Sequence, residues 1–230
     1  MQVRFLLRAQ SCVVNNRLMN KKEELKKLEA EILADKSLPL RESNLVFGEG
    51  SEECKVLFIG EAPGFHENEK GRPFVGRGGQ LLRENIRNLG WREEEVYITN
   101  IVKRRPPENR DPLPEEIEAY KPYLTRQIEI INPKIIATLG RFSMNYFLPE
   151  AKITRDQGKV FKMGGRLIVP IFHPAAALRG TGVMNQFRET FKKLPAIVSG
   201  KGLVEVKAGA KPEIRARKEE KPKIPQAKLF

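Results

Sequence analysis

Cysteine and histidine are scarce in this sequence, which contains two of each among 230 residues. Cys12 and Cys54 lie far apart and form no Cys-x-x-Cys pair, so they provide neither a disulfide framework nor a metal or cluster site by themselves. No apolar run reaches the roughly 18 residues of a membrane-spanning helix, and the first residues form too broken an apolar stretch for a signal peptide. We therefore expect a cytoplasmic protein with no membrane partner.

Acidic residues are outnumbered, because 42 Lys and Arg face 29 Asp and Glu and give a net charge of +13. This excess indicates a polyanionic partner, such as nucleic acid or an anionic membrane surface. With 40% hydrophobic residues, the chain is long enough for one compact domain with tails. We predict an irregular extension over 1–19, untranslated if Met19 is the start, a domain over 20–199, and a disordered basic tail over 200–230.

Short apolar runs rich in β-branched residues alternate with longer helical periods in most of the chain. This alternation predicts an α/β fold, a three-layer α/β/α sandwich with a short, mainly parallel central sheet. Pro122 lies inside a helical pattern and predicts a kink or break there. The predicted strands cover 56–59, 96–98, 134–139, a short run around Val160 and 167–171, and the predicted helices cover 20–33, 80–89, 115–131, 141–147 and 184–194.

Polar and glycine-rich segments follow the predicted parallel strands. They cover residues 60–79, 99–110, 140–141 and 173–179. Ligands of open parallel sheets bind at the carboxyl ends of the strands, so we expect these segments to converge on one edge of the sheet.

These segments carry the runs G-E-A-P-G, G-R-P-F-V-G-R-x-G-Q-L-L, Y-I-T-N, R-P-P-x-N-R-D-P and H-P-A-A-x-L-R. In this order they resemble the motifs of family 4 uracil-DNA glycosylases, over roughly residues 45–195. The resemblance implies an enzyme that hydrolyses the N-glycosidic bond of deoxyuridine in DNA, releasing uracil and leaving an abasic site for base excision repair. Two alternatives remain, a superfamily member with another damaged-base preference and a non-catalytic DNA-binding relative.

The resemblance implies a uracil-binding pocket made by Ala62, Phe74, Asn100 and His173. Phe74 would stack on the extruded base, and the Asn100 amide offers the donor and acceptor that match O4 and N3–H of uracil. His173 would donate a hydrogen bond to O2, where negative charge grows as the bond to the sugar breaks.

The residue that positions the attacking water is left open among three candidates. Family 1 relatives place an aspartate where this chain has Ala62, so no carboxylate stands there. Glu61, Glu67 and Asn109 are the candidates, and Glu67 could instead form a wall against the 5-methyl group of thymine.

Basic residues beside these motifs are expected to neutralise DNA phosphates. Leu178 is expected to fill the space that the extruded base leaves in the stack. The predicted phosphate contacts are Arg72, Arg77, Lys103, Arg104, Arg105, Arg110 and Arg179.

Family 4 enzymes hold a [4Fe-4S] cluster with four cysteines, and this sequence departs from that pattern. Alignment of the flanking residues puts Asp35, Leu38, Arg104 and Tyr120 at the four ligand positions. Cluster iron needs thiolates, so we predict no cluster, no metal and no other cofactor. We expect an Asp35–Arg104 ion pair, with Leu38 and Tyr120 filling the vacated volume.

Residues 226–230 resemble the Q-x-x-L-F peptide by which bacterial DNA-processing proteins bind the sliding clamp. Gln226, Leu229 and Phe230 would make this contact, although so short a motif also arises by chance in a low-complexity segment. We expect a monomer whose partners are uracil-containing DNA and the clamp.

Overall fold

The computed structural model describes residues 21–201 and 205–207, in which helices cover both faces of a central sheet. The strand order is β1-β3-β2-β4-β6-β5-β7. The strands are β1 (Glu49–Gly50), β2 (Val56–Gly60), β3 (Tyr97–Asn100), β4 (Ile135–Leu139), β5 (Val160–Met163), β6 (Arg166–Ile171) and β7 (Glu205–Lys207). The helices are α1 (21–34), α2 (Phe65–Lys70), α3 (Arg77–Asn88), α4 (Pro114–Ile131), α5 (Arg141–Phe147), α6 (Ile153–Asp156), α7 (Pro174–Ala177) and α8 (Thr181–Ser199), with 3-10 turns at Glu93–Glu95 and Pro107–Asn109.

The centre of the sheet is parallel, as predicted. Strand β2 pairs in parallel with β3 and β4, and β4 pairs in parallel with β6. The antiparallel pairs lie outside this centre, between β1 and β3 and between β5 and β6. Every residue of β2 and β4 is buried, which explains why these strands appear as continuous apolar runs.

Alternate side chains of β2 enter two separate hydrophobic cores. Leu57 and Ile59 face the core that contains Leu28 of α1 and Tyr120 of α4. Val56 and Phe58 face the other core, where the Phe58 ring stacks on that of Phe191 of α8 at 5.7 Å between centroids. One strand therefore supports both helical layers, and the three-layer sandwich is confirmed.

Helix α4 passes through Pro122 as one element, so the predicted break is wrong. Proline removes one backbone donor, which leaves the carbonyl of Glu118 without its helical partner. Pro122 and Glu118 are exposed, so water can replace that hydrogen bond. Tyr120 and Leu124, on the other side of the helix, are fully buried, and their packing outweighs the loss.

Two short strands at the ends of the sheet were not predicted from the sequence. Strand β1 has two residues, too few to show an alternation of apolar and polar side chains. Strand β7 pairs in parallel with β5 and lies within the segment assigned to the tail. Within residues 21–201 and 205–207, no helix combines the length and the apolar character needed to cross a membrane.

Candidate active site

A cavity of about 460 Å³ opens where strands β2, β3 and β6 end. Glu61, Asn100 and His173, which stand at or just beyond these strand ends, all line it. The expected convergence on one sheet edge is therefore present. The predicted site residues that line this cavity are Glu61, Ala62, Glu67, Phe74, Arg77, Asn100, Asn109, His173 and Arg179. The predicted clamp contacts Gln226, Leu229 and Phe230 lie outside the described residues.

Asn100 and Phe74 meet above Gly60, the last residue of β2. A Cβ atom on Gly60 would lie 2.4 Å from Asn100 Oδ1 and 2.5 Å from Phe74 Cζ, so a larger residue would displace both side chains. Asn100 is 2% exposed, and its side-chain amide makes no hydrogen bond to any other described residue. Its donor and acceptor are therefore available to a ligand in the cavity.

Phe74 is held in a left-handed backbone conformation, with φ of 53°. For a bulky residue this conformation is strained, and it persists only where the surroundings impose it. Arg83 of α3 supplies the restraint, because its Nε and Nη2 donate to the carbonyls of Phe74 and Pro73 at 2.9 and 2.8 Å. Gly79 permits the close approach, since a Cβ there would lie 2.0 Å from the Phe74 carbonyl carbon.

We predict that Arg83→Lys lowers the free energy of unfolding by about 1–3 kcal/mol, because a lysine cannot reproduce the forked contact to both carbonyls and to Glu49 and Glu93. Chemical denaturation measures the change. Arg87→Lys is the matched control, since Arg87 pairs with Glu93 from the more exposed end of the same helix. Equal losses in the two variants would contradict the assigned role of Arg83.

His173 presents one defined proton to the cavity. Its Nδ1 accepts a hydrogen bond from the backbone N–H of Ala175 at 3.2 Å, so the neutral ring carries its proton on Nε2. Desolvation by burial lowers the pKa of His173 to about 4; the Glu67 carboxylate opposes this shift and Arg179 adds to it. The imidazole is therefore neutral near pH 7, and Nε2–H remains a donor.

Glu61 lies half-buried at the end of β2 and shares the cavity with Asp111. The pKa of Glu61 is raised to about 7, chiefly by burial and also by the Asp111 carboxylate, while Arg141 opposes the shift. Asp111 and Arg141 form an ion pair at 2.5 Å. Sequence reasoning missed Asp111 as a site residue, although it lies in the R-P-P-x-N-R-D-P run that carries part of the family resemblance.

Glu67 and Asn109, the other candidates for positioning water, are each engaged by protein groups. Glu67 Oε1 accepts from the backbone N–H groups of Val75 and Gly76, both at 2.8 Å. It thereby holds the segment that follows Phe74. Asn109 Oδ1 accepts from Arg105 Nε at 2.7 Å. Glu61 is the carboxylate of the cavity that makes no hydrogen bond to another described residue.

Lys103 and Arg104 were predicted to contact DNA, and the structure contradicts both predictions. Lys103 is fully buried, and its Nζ donates to Thr99 Oγ1, Gln127 Oε1 and the Asn100 carbonyl at 2.6, 2.5 and 2.9 Å. Burial lowers the pKa of Lys103 well below its ordinary value. Arg104 is 6% exposed and donates to the carbonyl of Ser43. Buried acceptors, rather than solvent, bind Lys103 Nζ and Arg104 Nη1, whereas the buried Arg104 Nε has no hydrogen-bond partner among the described residues.

We predict that Lys103→Met leaves the salt dependence of DNA binding unchanged, because Lys103 Nζ faces the core and is fully buried. Arg179→Ala, at the cavity, should reduce the slope of log K against log salt by about 1. Titrations of a labelled oligonucleotide at several salt concentrations provide both slopes. Lys103→Met should instead lower the free energy of unfolding by about 1–3 kcal/mol, since it leaves buried acceptors unpaired. A reduced slope of log K against log salt in Lys103→Met would show that Lys103 contacts a phosphate after all.

The remaining predicted DNA contacts are exposed to different degrees. Arg77 and Arg179 are exposed at the cavity, and Leu178 beside Arg179 is 41% exposed. Arg105 lies at the cavity rim, where it bonds Asn109. Two others pair with carboxylates away from the cavity lining, Arg72 with Glu49 and Arg110 with Glu116, both at 2.6 Å.

The predicted ion pair between Asp35 and Arg104 is wrong. The Asp35 carboxylate accepts from the Ser37 backbone N–H at 2.8 Å and from the Tyr123 hydroxyl at 2.5 Å, while Arg104 turns to Ser43. A local turn after α1 and the distant Tyr123 hydroxyl of α4 therefore satisfy this carboxylate in place of Arg104. Leu38 and Tyr120, however, are 5% and 0% exposed in one hydrophobic core, and the Tyr120 hydroxyl donates to the Pro39 carbonyl at 2.9 Å.

Comparison with known proteins gives the same family as the motifs. The family model described as the Uracil DNA glycosylase superfamily matches residues 47–195. The chain is 43% identical to a type-4 uracil-DNA glycosylase of Sulfurisphaera tokodaii over 184 residues, which cover 75% of this chain and 84% of the relative. It is 41% identical to that of Archaeoglobus fulgidus over 183 residues (75% and 92%) and 47% identical to that of Thermotoga maritima over 145 residues (62% and 76%). The chain belongs to the uracil-DNA glycosylase superfamily and to its type-4 group.

Proposed function

We propose that this protein is a uracil-DNA glycosylase, which hydrolyses the N-glycosidic bond of deoxyuridine in DNA and starts base excision repair. The convergence of Phe74, Asn100 and His173 on one cavity carries the proposal. The type-4 glycosylases that are 41–47% identical to this chain support it. We further propose that this protein acts on DNA as a monomer in the cytoplasm.

Base recognition falls to Phe74 and Asn100. The extruded uracil stacks on the restrained Phe74 ring, while the Asn100 amide donates to O4 and accepts from N3–H. Cytosine presents the opposite pattern at these two positions, so an amide held in this orientation rejects it. The carbonyl of Asn100 is bonded to buried Lys103, which fixes the backbone from which this amide projects.

Bond cleavage relies on His173 and Glu61. As the bond between C1′ and N1 breaks, its electron pair moves into the uracil ring, and charge on O2 is met by Nε2–H of neutral His173. The sugar approaches a cation, so a weakly activated water is sufficient to form the new bond to C1′. We assign the proton of that water to the Glu61 carboxylate, since Glu67 Oε1 already accepts two backbone hydrogen bonds.

We further propose that the protein works without an iron–sulfur cluster, because the residues at the ligand positions do not fit one. Leu38 and Tyr120 offer no thiolate and pack in the core, and Asp35 and Arg104 are bonded to neighbouring groups. Cys54 is not at a ligand position; it is buried in the core, and burial raises the pKa of its thiol to about 12.

Release of free uracil from an oligonucleotide that contains one deoxyuridine tests the proposal, with a strong iron chelator present. We expect activity in the wild type and a loss of about 10²-fold in kcat/KM for Asn100→Ala, because the buried amide reads the base. Asn88→Ala, at the exposed end of α3, is the matched control. Release of hypoxanthine from a matching deoxyinosine oligonucleotide with no uracil release from this one, or DNA binding without any base release, would overturn it.

We also propose that Gln226, Leu229 and Phe230 bind a bacterial sliding clamp, on the strength of the Q-x-x-L-F pattern alone. Leu229→Ala combined with Phe230→Ala should abolish measurable clamp binding and leave uracil release from a short oligonucleotide unchanged. Lys228→Ala, at a variable position of the pattern, is the control. Surface-bound clamp and soluble variants provide the affinities, and equal affinities in all three proteins would refute the contact.

A further inference from the structure

The described residues include four large exposed apolar side chains, and three of them are sequence neighbours of residues that line the cavity. Within the described residues they are Phe65, Leu113, Leu178 and Leu33, with exposed fractions of 49, 41, 41 and 52%. Phe65 follows Gly64, Leu113 lies two residues after Asp111, and Leu178 precedes Arg179, and these neighbours all line the cavity. Leu33 lies on α1, which contributes nothing to the lining. Single exposed apolar residues are common, whereas their grouping at one rim indicates a binding surface.

Phe65 is tied to this rim through Arg105. The guanidinium carbon of Arg105 lies 5.3 Å from the centroid of the Phe65 ring. Its Nε donates to Asn109 Oδ1, a group of the cavity lining, at 2.7 Å. The ring is thus held beside a cation at the cavity mouth, yet about half of its surface faces solvent.

We propose that Phe65 is a stacking platform for an unpaired base next to the extruded nucleotide, with the Arg105 guanidinium at the adjoining phosphate. This inference rests on the proposed function and adds a preference for uracil in single-stranded DNA. Aromatic side chains beside cations are how proteins bind single strands without reading sequence, because every base has a π-face. In a duplex, the base next to the extruded nucleotide stays paired with the opposite strand and stacked on its other neighbour, so it is not free to turn onto the Phe65 ring.

Steady-state kinetics on three substrates test the platform. They are a single strand with one deoxyuridine, the same strand with abasic analogues on both sides of it, and the corresponding duplex. On the first we expect Phe65→Ala to raise KM about 10-fold with kcat within twofold, since stacking is lost equally from ground and transition states. Phe65→Trp should retain the wild-type KM, and Phe65→Leu, apolar without a π-face, should not. Leu33→Ala is the control for loss of an exposed apolar side chain.

The strand with abasic analogues distinguishes stacking of Phe65 on a DNA base from packing of Phe65 against Arg105. If Phe65 stacks on a neighbouring base, wild type and Phe65→Ala should have equal KM on the abasic-flanked strand. A 10-fold difference in KM that persists on the abasic-flanked strand would show that Phe65 only supports Arg105. A higher KM of Phe65→Ala on the duplex alone would show that Phe65 inserts into the base stack. Both outcomes overturn the platform. Equilibrium binding of the uncleaved strands by the same variants tests the platform even if no uracil is released. Absence of uracil release would refute the proposed function and leave the test of Phe65 intact.

Discussion

Replacement of His173 by alanine is expected to lower kcat for uracil release by about 10²–10³-fold, while KM changes far less. The effect falls on kcat because the hydrogen bond from Nε2 strengthens only as charge appears on the departing base. Single-turnover release of uracil measures it without interference from product dissociation. His66→Ala is the matched control, since the second histidine is exposed on α2 and does not line the cavity. Equal losses in the two variants would remove His173 from the chemistry.

The neutral state of His173 has its own consequence for pH. Its pKa is about 4 in the folded protein against an ordinary value of 6.5, so the folded state binds fewer protons between these two values. The free energy of unfolding should therefore fall as pH drops from about 6.5 to 4, and His173→Ala should reduce this dependence. Denaturation curves across that range test the sign; an unfolding free energy that rises as the pH falls would contradict it.

The sequence was most informative where the pattern of neighbouring residues directly reflects their place in the fold. Strand β2 is a continuous apolar run because helices cover both faces of the sheet, so its position could be predicted from its residues alone. Parallel strands end at one edge, and this rule alone predicts that Glu61, Asn100 and His173 lie close together. Their individual roles came instead from the motifs, which no periodicity could supply.

Sequence reasoning failed where the partners of a residue lie far along the chain. Lys103 was expected at the surface because lysines usually are, yet its acceptors include Gln127 of α4, and that contact leaves no local pattern. Arg83 was overlooked because it belongs to no motif, although it holds Phe74 in the geometry the motif requires. The ion pair expected for Asp35 did not form because Ser37 and Tyr123 satisfy its carboxylate instead.

Replacement of Glu61 by glutamine is expected to lower kcat by at least about 10²-fold and to remove a pH dependence that the wild type shows. The carboxylate is the form that takes the proton of water, and its pKa is about 7. In the wild type, kcat/KM should therefore increase with pH up to about 7 and then level off. In Glu61→Gln the residual rate should be independent of pH over the same range. Rates measured between about pH 5 and 9 at constant ionic strength provide the profile.

Two further variants identify the origin of that pH dependence. Asp111→Asn should move the midpoint to lower pH, because the Asp111 carboxylate raises the pKa of Glu61 and its removal also frees Arg141, which lowers it. Glu67→Gln should keep the midpoint near 7, since the amide oxygen can still accept from the Val75 and Gly76 N–H groups and the titrating Glu61 is unchanged. If Glu67→Gln removes the midpoint and Glu61→Gln retains it, the water belongs to Glu67. The direction of the Asp111→Asn shift is the more demanding test, because only a carboxylate near both Asp111 and Arg141 would respond in this sense.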